Sequence, residues 1–394
     1  MPTSLHPDVI VVGGACMGAS TAFHLLDVDP SLGVRVLDRD LTLARSSTLL
    51  SDGNVRIQFN LDENIAISRY AMEVLEDFGD RMAVGEFRPE VSMLKQGNLF
   101  MVDPDNEAAA RDGLEHQRRL GCNVEWLDID QIRNRFAPFA AERFVGGTFG
   151  PEDGSVDPTA VTNGYRRAAE SRGAQFESAE VVRLLVDGDR VRGVETAGGE
   201  EIVAGAVVVC AGAWSTELLA TAGVEIPVVP IMRTVYVVAT DVGADTLLPS
   251  AFAPSGVYVI PEHPGTYLIA WSLPDDPVGF DFTPADRSRF YEVVWPELVD
   301  NFPAFDRLEV VRSWAGLYAQ NLLDSNAIVG EWPTIAGLYQ ATGFSGHGYQ
   351  QCHAVGRYLA ESITGREPFL DLSRLGPERI IAGVPLHEHP GRII

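Results

Sequence analysis

Residues 8–26 read "DVIVVGGACMGASTAFHLL". An apolar run, a glycine pair and then small and apolar residues at helical spacing predict a buried strand, a tight turn and a helix. "GVRVLDRD" over 33–40 adds a second short strand ending in Asp38. The G-x-G-x-x-G spacing falls on Gly13, Ala15 and Gly18, with alanine in the middle position. The first glycine permits the turn, the middle position lets the backbone approach a pyrophosphate, and the third lets helix and strand pack closely. Exposed N–H groups and the helix dipole then favour phosphates, while Asp38 can accept from ribose hydroxyls. The stretch predicts a Rossmann-type dinucleotide unit. It does not separate NAD from FAD.

A second glycine-rich turn lies near the other end of the chain. "ATGFSGHGYQQ" at 341–351 places Gly343, Gly346 and Gly348 before a helix whose apolar face carries Cys352, Val355, Leu359 and Ile363, with Gly365 as its stop. A nicotinamide enzyme has no general need of this turn. A flavin lies far from its adenine and needs its own cradle, and a helix N-terminus aimed at the ring stabilises the negative charge that develops on reduction. Two turns are expected to hold the two ends of one FAD.

Between them the signals are mixed. "GAVVVCAGAW" at 205–214 is a continuous apolar run, as in a parallel strand buried on both faces. "GVYVIPE" and "TYLIAW" alternate, as in antiparallel strands. Two helices open on Asp-Pro, at 103 and 157, and close at Gly121 and Gly173. A further helix is predicted over 62–82, with Asp62 as N-cap and Ile65, Ala66, Tyr70, Val74, Leu75 and Phe78 on its apolar face.

The 394 residues are enough for two domains, and 46% hydrophobic with 22% charged residues describe an ordinary globular protein. A net charge of -25 argues against nucleic acid as a partner. Lys95 is the single lysine. The cysteines Cys16, Cys122, Cys210 and Cys352 form neither a disulfide framework nor a zinc pattern. Cys352, on an apolar helix face, reads as core rather than nucleophile. "HEH" at 387–389 lacks a third ligand, so no metal is expected. The N-terminus shows no basic leader and no apolar run reaches bilayer length, so a cytoplasmic location without a transmembrane segment is expected.

"VVGGACMG", "LDRDLTLARSSTLLSDGNVR", "VVVCAGAWS", "DSNAIVG" and "GFSGHG" follow one another along nearly the whole chain. In these motifs the sequence resembles the FAD-dependent D-amino-acid oxidase and sarcosine oxidase (glycine oxidase-like) family. In "WAGLY" and "ATGFSGHG" with the following "QQ" it is particularly similar to the branch of FAD-dependent oxidoreductases that holds a mitochondrial complex I assembly factor. The resemblance implies an α/β fold of the D-amino-acid oxidase/sarcosine oxidase type, a Rossmann-like FAD domain interleaved with an antiparallel substrate domain. The expected division gives 1–88, 152–225 and 322–370 to FAD, and 89–151 and 226–321, with the 371–394 tail, to substrate.

Position by position, the resemblance implies that Gly13, Gly14, Ala15, Gly18, Asp38 and Arg39 serve the adenosine and pyrophosphate. Arg45, Ser47 and Thr48 match the loop around the phosphates and ribityl chain, and Val182 matches the residue that meets adenine. Gly212 and Trp214 match the strand end beside the cofactor, and Gly343, Gly346, His347, Gly348, Tyr349 and Gln350 the isoalloxazine loop. Arg56, His347, Gln350, Tyr258 and Trp271 are the catalytic candidates, with Tyr267, Trp314 and Tyr318 in strands expected to roof the flavin.

Departures from the family pattern narrow the chemistry. Leu50 and Gly316 stand where some relatives tether FAD through histidine or cysteine, so FAD is expected to be non-covalent. The lysine that sarcosine oxidases use for oxygen is missing from "TYLIAWS", and Gln350 replaces the lysine that holds the substrate carboxylate. The expected activity is oxidation of the C–N bond of an amino acid or secondary amine to an imine, by a dehydrogenase passing electrons to another acceptor. A peroxide-producing oxidase using oxygen, and a flavoprotein assembly factor without catalysis, remain alternatives. Oligomeric assembly is left open.

Overall fold

The computed structural model describes residues 7–388. The polar lead at 1–6 and His389 of the "HEH" stretch lie outside these described residues.

The opening stretch folds as strand β1 (Val9–Val12), turn and helix α1 (Cys16–Val28), followed by β2 (Val34–Asp38). β1 lies inside a six-stranded sheet, between β2 and the Ala206–Val209 strand, in parallel register with both. Leu338–Thr342 and Gln175–Ser178 extend the parallel set on either side, and Ile328–Glu331 closes one edge antiparallel. Both faces are covered. Val9, Val11, Val34 and Val208 pack beneath α1, Pro158–Ser171 and Gly348–Ile363, while Ile10, Val12, Leu37 and Val207 pack on the three-stranded meander of Val181–Asp187, Arg190–Thr196 and Glu201–Val203. Burial on both faces explains the unbroken apolar runs in these strands.

A second sheet has eight strands, in the order Glu309–Asn321, Val228–Ala239, Thr266–Ala270, Tyr258–His263, Ser250–Phe252, Asn98–Val102, Gly146–Gly150 and Glu125–Asp128. Its pairs are antiparallel except Ser250–Phe252 with Asn98–Val102. Side chains alternate across it. Phe100, Val235, Phe252, Tyr258 and Ala270 lie on one face with Trp314; Leu99, Tyr236, Ala251, Val259, Tyr267 and Ile269 lie on the other, against Phe139, Phe290, Phe302 and Phe305.

The Asp157 cap forms as expected, its carboxylate accepting from Thr159 N at 2.8 Å. The 62–82 expectation needs correction. Helix α2 covers Asp62–Glu76 with Leu61 at the N-cap, and a separate turn of helix spans Phe78–Arg81. The axis breaks at Asp77, where the chain turns to set the Phe78 ring edge-on to Tyr165 and His353. Asp62 is the first helical residue rather than the cap, and its Oδ1 meets His116 Nε2 at 2.8 Å. Glu388 accepts from Leu61 N at 3.1 Å and from Asn64 Nδ2 at 2.7 Å.

Leu372 and Leu375 enter the core under α1, and buried Arg379 pairs with buried Asp324, just ahead of the Ile328–Glu331 edge strand. Apolar burial and one enclosed ion pair therefore fix residues 372–379 to the six-stranded layer.

Candidate active site

At the carboxyl ends of the parallel strands, where β1 and its neighbours diverge, a cavity of about 890 Å³ runs from Asp38 and Val182 to Tyr258 and Trp271. Its wall includes Gly13 and Ala15 after β1, Gly212 after the Ala206–Val209 strand, and Gly346–Gln350 after Leu338–Thr342.

The first turn is built from backbone. Gly13 has φ +105°, and a Cβ there would lie 2.4 Å from Cys210 O, so only glycine fits. Gly14 N–H donates to Asp38 Oδ2 at 2.7 Å, fixing the carboxylate at the end of β2. A Cβ on Gly18 would meet Gly13 O, so this glycine packs helix against turn and does not line the cavity. Ala15 is the N-cap of α1, and its small side chain leaves the cavity open beside it.

Arg39 and Arg45 line this end, and neither forms an ion pair among the described residues. The Arg39 guanidinium lies 3.7 Å over Trp214, which stacks on Phe280. The segment from Leu43 to Arg56 then follows the cavity wall. Ser47 Oγ donates to Leu317 O at 2.6 Å, and Thr48 Oγ1 meets Cys16 Sγ at 3.1 Å. Leu50 lies against Gly316, where an added Cβ would be 3.1 Å from Leu50 Cβ. Neither side chain offers a heteroatom for a bond to flavin.

The second turn is pinned to the Glu309–Asn321 strand. Ser345 Oγ accepts from Asn321 N at 2.9 Å, and Ser345 N donates to Ala319 O at 3.1 Å. Gly346, at φ +100°, passes so close to Tyr318 that a Cβ would lie 2.6 Å from its ring. His347 to Gln350 open the Gly348–Ile363 helix onto the cavity. Gly343, at φ +69°, makes the turn possible but lies behind it.

At the far end, Arg56 is enclosed between Phe59 and Phe100, with its guanidinium 4.5 and 5.6 Å from their rings. Its Nη2 approaches His347 Nε2 at 3.1 Å. A guanidinium can only donate, so this contact places the His347 proton on Nδ1 and leaves the ring neutral. Arg56 forms no ion pair among the described residues, and its Nε is buried without a partner. Burial lowers its pKa, opposed by Glu388, Asp153, Tyr318 and Asp52.

Gln350 changes role. Its Oε1 accepts from Arg56 N at 2.8 Å, and its Nε2 donates to Arg56 O at 3.2 Å and Ser68 Oγ at 2.9 Å. Both amide protons are in use, so it holds Arg56 rather than offering a donor to a substrate carboxylate.

Tyr258, Trp271 and Tyr318 reach the cavity, with Trp271 Nε1 donating to Ser255 O at 2.8 Å. Tyr267 does not: it is fully buried on the far face of the sheet and donates to Val242 O. Trp314 sits behind Leu50, donating to its carbonyl at 2.9 Å. Cys352 is fully buried, and burial raises its thiol pKa well above the usual value.

Two charged residues beside Tyr258 and Tyr318 escaped the sequence reading. Asp52 lines the cavity and accepts from Tyr258 OH at 3.0 Å. Arg233 also lines it and pairs with Asp276. "SDGN" reads only as a turn, and that turn forms, with Asn54 N donating to Asp52 Oδ1 at 3.1 Å.

This arrangement is that of a flavin-dependent oxidoreductase: a glycine turn and two arginines without ion pairs among the described residues at one end, and a glycine loop beside an enclosed arginine at the other. The chain belongs to the FAD-dependent oxidoreductase (DAO) family, whose pattern matches residues 8–362. It is 32% identical to FAD-dependent oxidoreductase domain-containing protein 1 of Bos taurus, an alignment covering 97% of this chain and 86% of that protein. Glycine oxidase of Pseudomonas putida is 26% identical over 95% of this chain and 99% of its own. L-proline dehydrogenase from P. horikoshii shares the fold, with TM-score 0.85 at 24% identity over 97% of this chain and 99% of that one. FAD is therefore the cofactor. Among the described residues no helix is long and apolar enough to cross a membrane.

Proposed function

We propose that the protein oxidises the C–N bond of an amino acid or carboxylate-bearing secondary amine to an imine, as a dehydrogenase. Arg56 carries this reading: an enclosed cation that forms no ion pair among the described residues suits a substrate carboxylate. Gln350 and His347 hold it from two sides. FAD, when bound, supplies the two-electron acceptor. In this reading the 8-stranded sheet belongs to a substrate domain, and the 6-stranded sheet to the FAD domain.

The site's own task is alignment and exclusion of water. Tyr258, Trp271 and Phe252 form an aromatic wall against which a carbon chain can rest. Held by its carboxylate, the substrate has one end fixed, which lowers the entropic part of the barrier. His347 faces the Arg56 guanidinium through Nε2. It orients Arg56.

The preference for a dehydrogenase rests on lysine. Lys95 is exposed, pairs with Glu76 at 3.4 Å, and does not line the cavity. The test is anaerobic flavin bleaching by N-alkyl amino acids, D- and L-amino acids, cyclic imino acids and 2-hydroxy acids, followed by air. Bleaching by one amine class with slow return of colour in air is expected. Rapid recolouring with peroxide would make it an oxidase, and a yellow protein bleached by no amine would end the catalytic reading.

A further inference from the structure

We propose that Asp52 binds the amine nitrogen of the substrate and accepts the proton of its ammonium form, with Tyr258 as the residue that positions it. This deepens, and rests on, the amino-acid reading of the same cavity.

Asp52 and Arg56 lie four positions apart on one segment and line the same cavity. Among the described residues neither forms an ion pair, with each other or with any other side chain. Asp52 Oδ2 accepts from Tyr258 OH at 3.0 Å, and Oδ1 accepts from Asn54 N at 3.1 Å. These bonds fix the carboxyl but bring no counter-charge. An enclosed carboxylate without a cation is costly, and so is an enclosed guanidinium without an anion. A zwitterion supplies both: its carboxylate to Arg56 and its ammonium to Asp52. A 2-hydroxy acid supplies only the first.

The charged and titratable groups around Asp52 support this division. Arg56 acts on it from its own segment, Tyr258 from the Tyr258–His263 strand, and Tyr318 from the Glu309–Asn321 strand. Arg233, beside the two tyrosines, is already paired with Asp276. Burial raises the Asp52 pKa, opposed by the Asn54 amide, the Tyr258 hydroxyl and Arg56. A carboxyl shifted upward lies closer to the working pH and accepts a proton more effectively. The step balances: one N–H bond of the ammonium breaks, one O–H bond forms on Asp52, and the nitrogen keeps its electron pair. The neutral amine that results is the form able to lose hydride.

The test uses FAD-loaded protein and binding as well as turnover. Glycine, sarcosine and L-proline, with their nitrogen-free counterparts propionate, butyrate and cyclopentanecarboxylate, are titrated against the flavin spectrum. Wild type is expected to bind the best amino acid about tenfold or more above its counterpart, and Asp52→Asn to abolish that ratio without weakening the counterpart. Tyr258→Phe keeps the carboxyl but removes a bond to its ionised form, so the acid limb of anaerobic bleaching moves to higher pH. An unchanged ratio in Asp52→Asn, equal weakening of both ligands, or no amino-acid binding by wild type overturns the inference. Amino-acid binding that depends on Asp52 but never bleaches the flavin would uphold it and defeat only the oxidation reading.

Discussion

Gln350 grips the backbone of Arg56 at both ends, accepting from its N–H at 2.8 Å and donating to its carbonyl at 3.2 Å across 294 residues of sequence. The bond pair ties the helix behind the flavin loop to the segment that carries the arginine. Gln350→Ala is expected to raise half-saturation for a bleaching substrate about tenfold, with a smaller change in the limiting rate and FAD retained. Stopped-flow reduction across substrate concentrations separates the two.

Arg56→Ala removes the proposed carboxylate anchor itself. The expected loss is larger, about a hundredfold in half-saturation, because a charge-assisted pair disappears. Arg56→Lys keeps the charge without the planar fork and should recover only part of it. Uncharged amines, which need no anchor, should be nearly unaffected in both variants.

Gly346→Ala tests the second turn. With φ at +100° and the Tyr318 ring 2.6 Å from the new Cβ, the loop must shift. FAD should bind about ten to a hundred times more weakly, seen as a fall in the 450-to-280 nm absorbance ratio after dialysis.

Acid sensitivity follows from two histidines away from the cavity. Burial depresses His24 and His353 to a pKa of about 3, from an ordinary 6.5. Above pH 6.5 both are neutral in folded and unfolded chains, and their contribution to stability is constant. Below 6.5 the unfolded chain takes up protons that the fold refuses until about pH 3, so stability falls across that window. Each costs about 1.4 kcal/mol per pH unit, or about 4 kcal/mol for the pair at pH 5. His24→Leu should lower the slope of denaturant stability against pH between 6 and 4 by about 1.4 kcal/mol per pH unit.

The strand-turn-helix at 8–26, the second glycine turn and the Asp157 cap were legible because each depends on neighbours within a few residues. Gly13 and Gly346 announced themselves through conformations that only glycine adopts freely. What stayed hidden depends on distant partners. Asp52 looks like a turn residue until Tyr258, 206 positions away, arrives over it. Gln350 looked like a substrate ligand until Arg56 and Ser68, far away in sequence, took one amide proton each. Tyr267 and Tyr258 belong to adjacent strands of one sheet, and only register decides which face each takes. The helix break at Asp77 serves the placing of Phe78, which no local pattern encodes.

The cavity has two walls of different kinds. One is the single segment from Leu43 to Arg56, which passes from the Arg45 end to the Arg56 end; the other is the front face of a broad sheet. A change of length in the stretch would displace cofactor and substrate contacts together. The sheet face is modular by comparison: every second residue of a strand can be exchanged while its backbone pairing stays intact. New substrate preferences in this scaffold are therefore to be sought at positions such as Val235, Phe252 and Ala270, and directed libraries there leave the glycine turns alone.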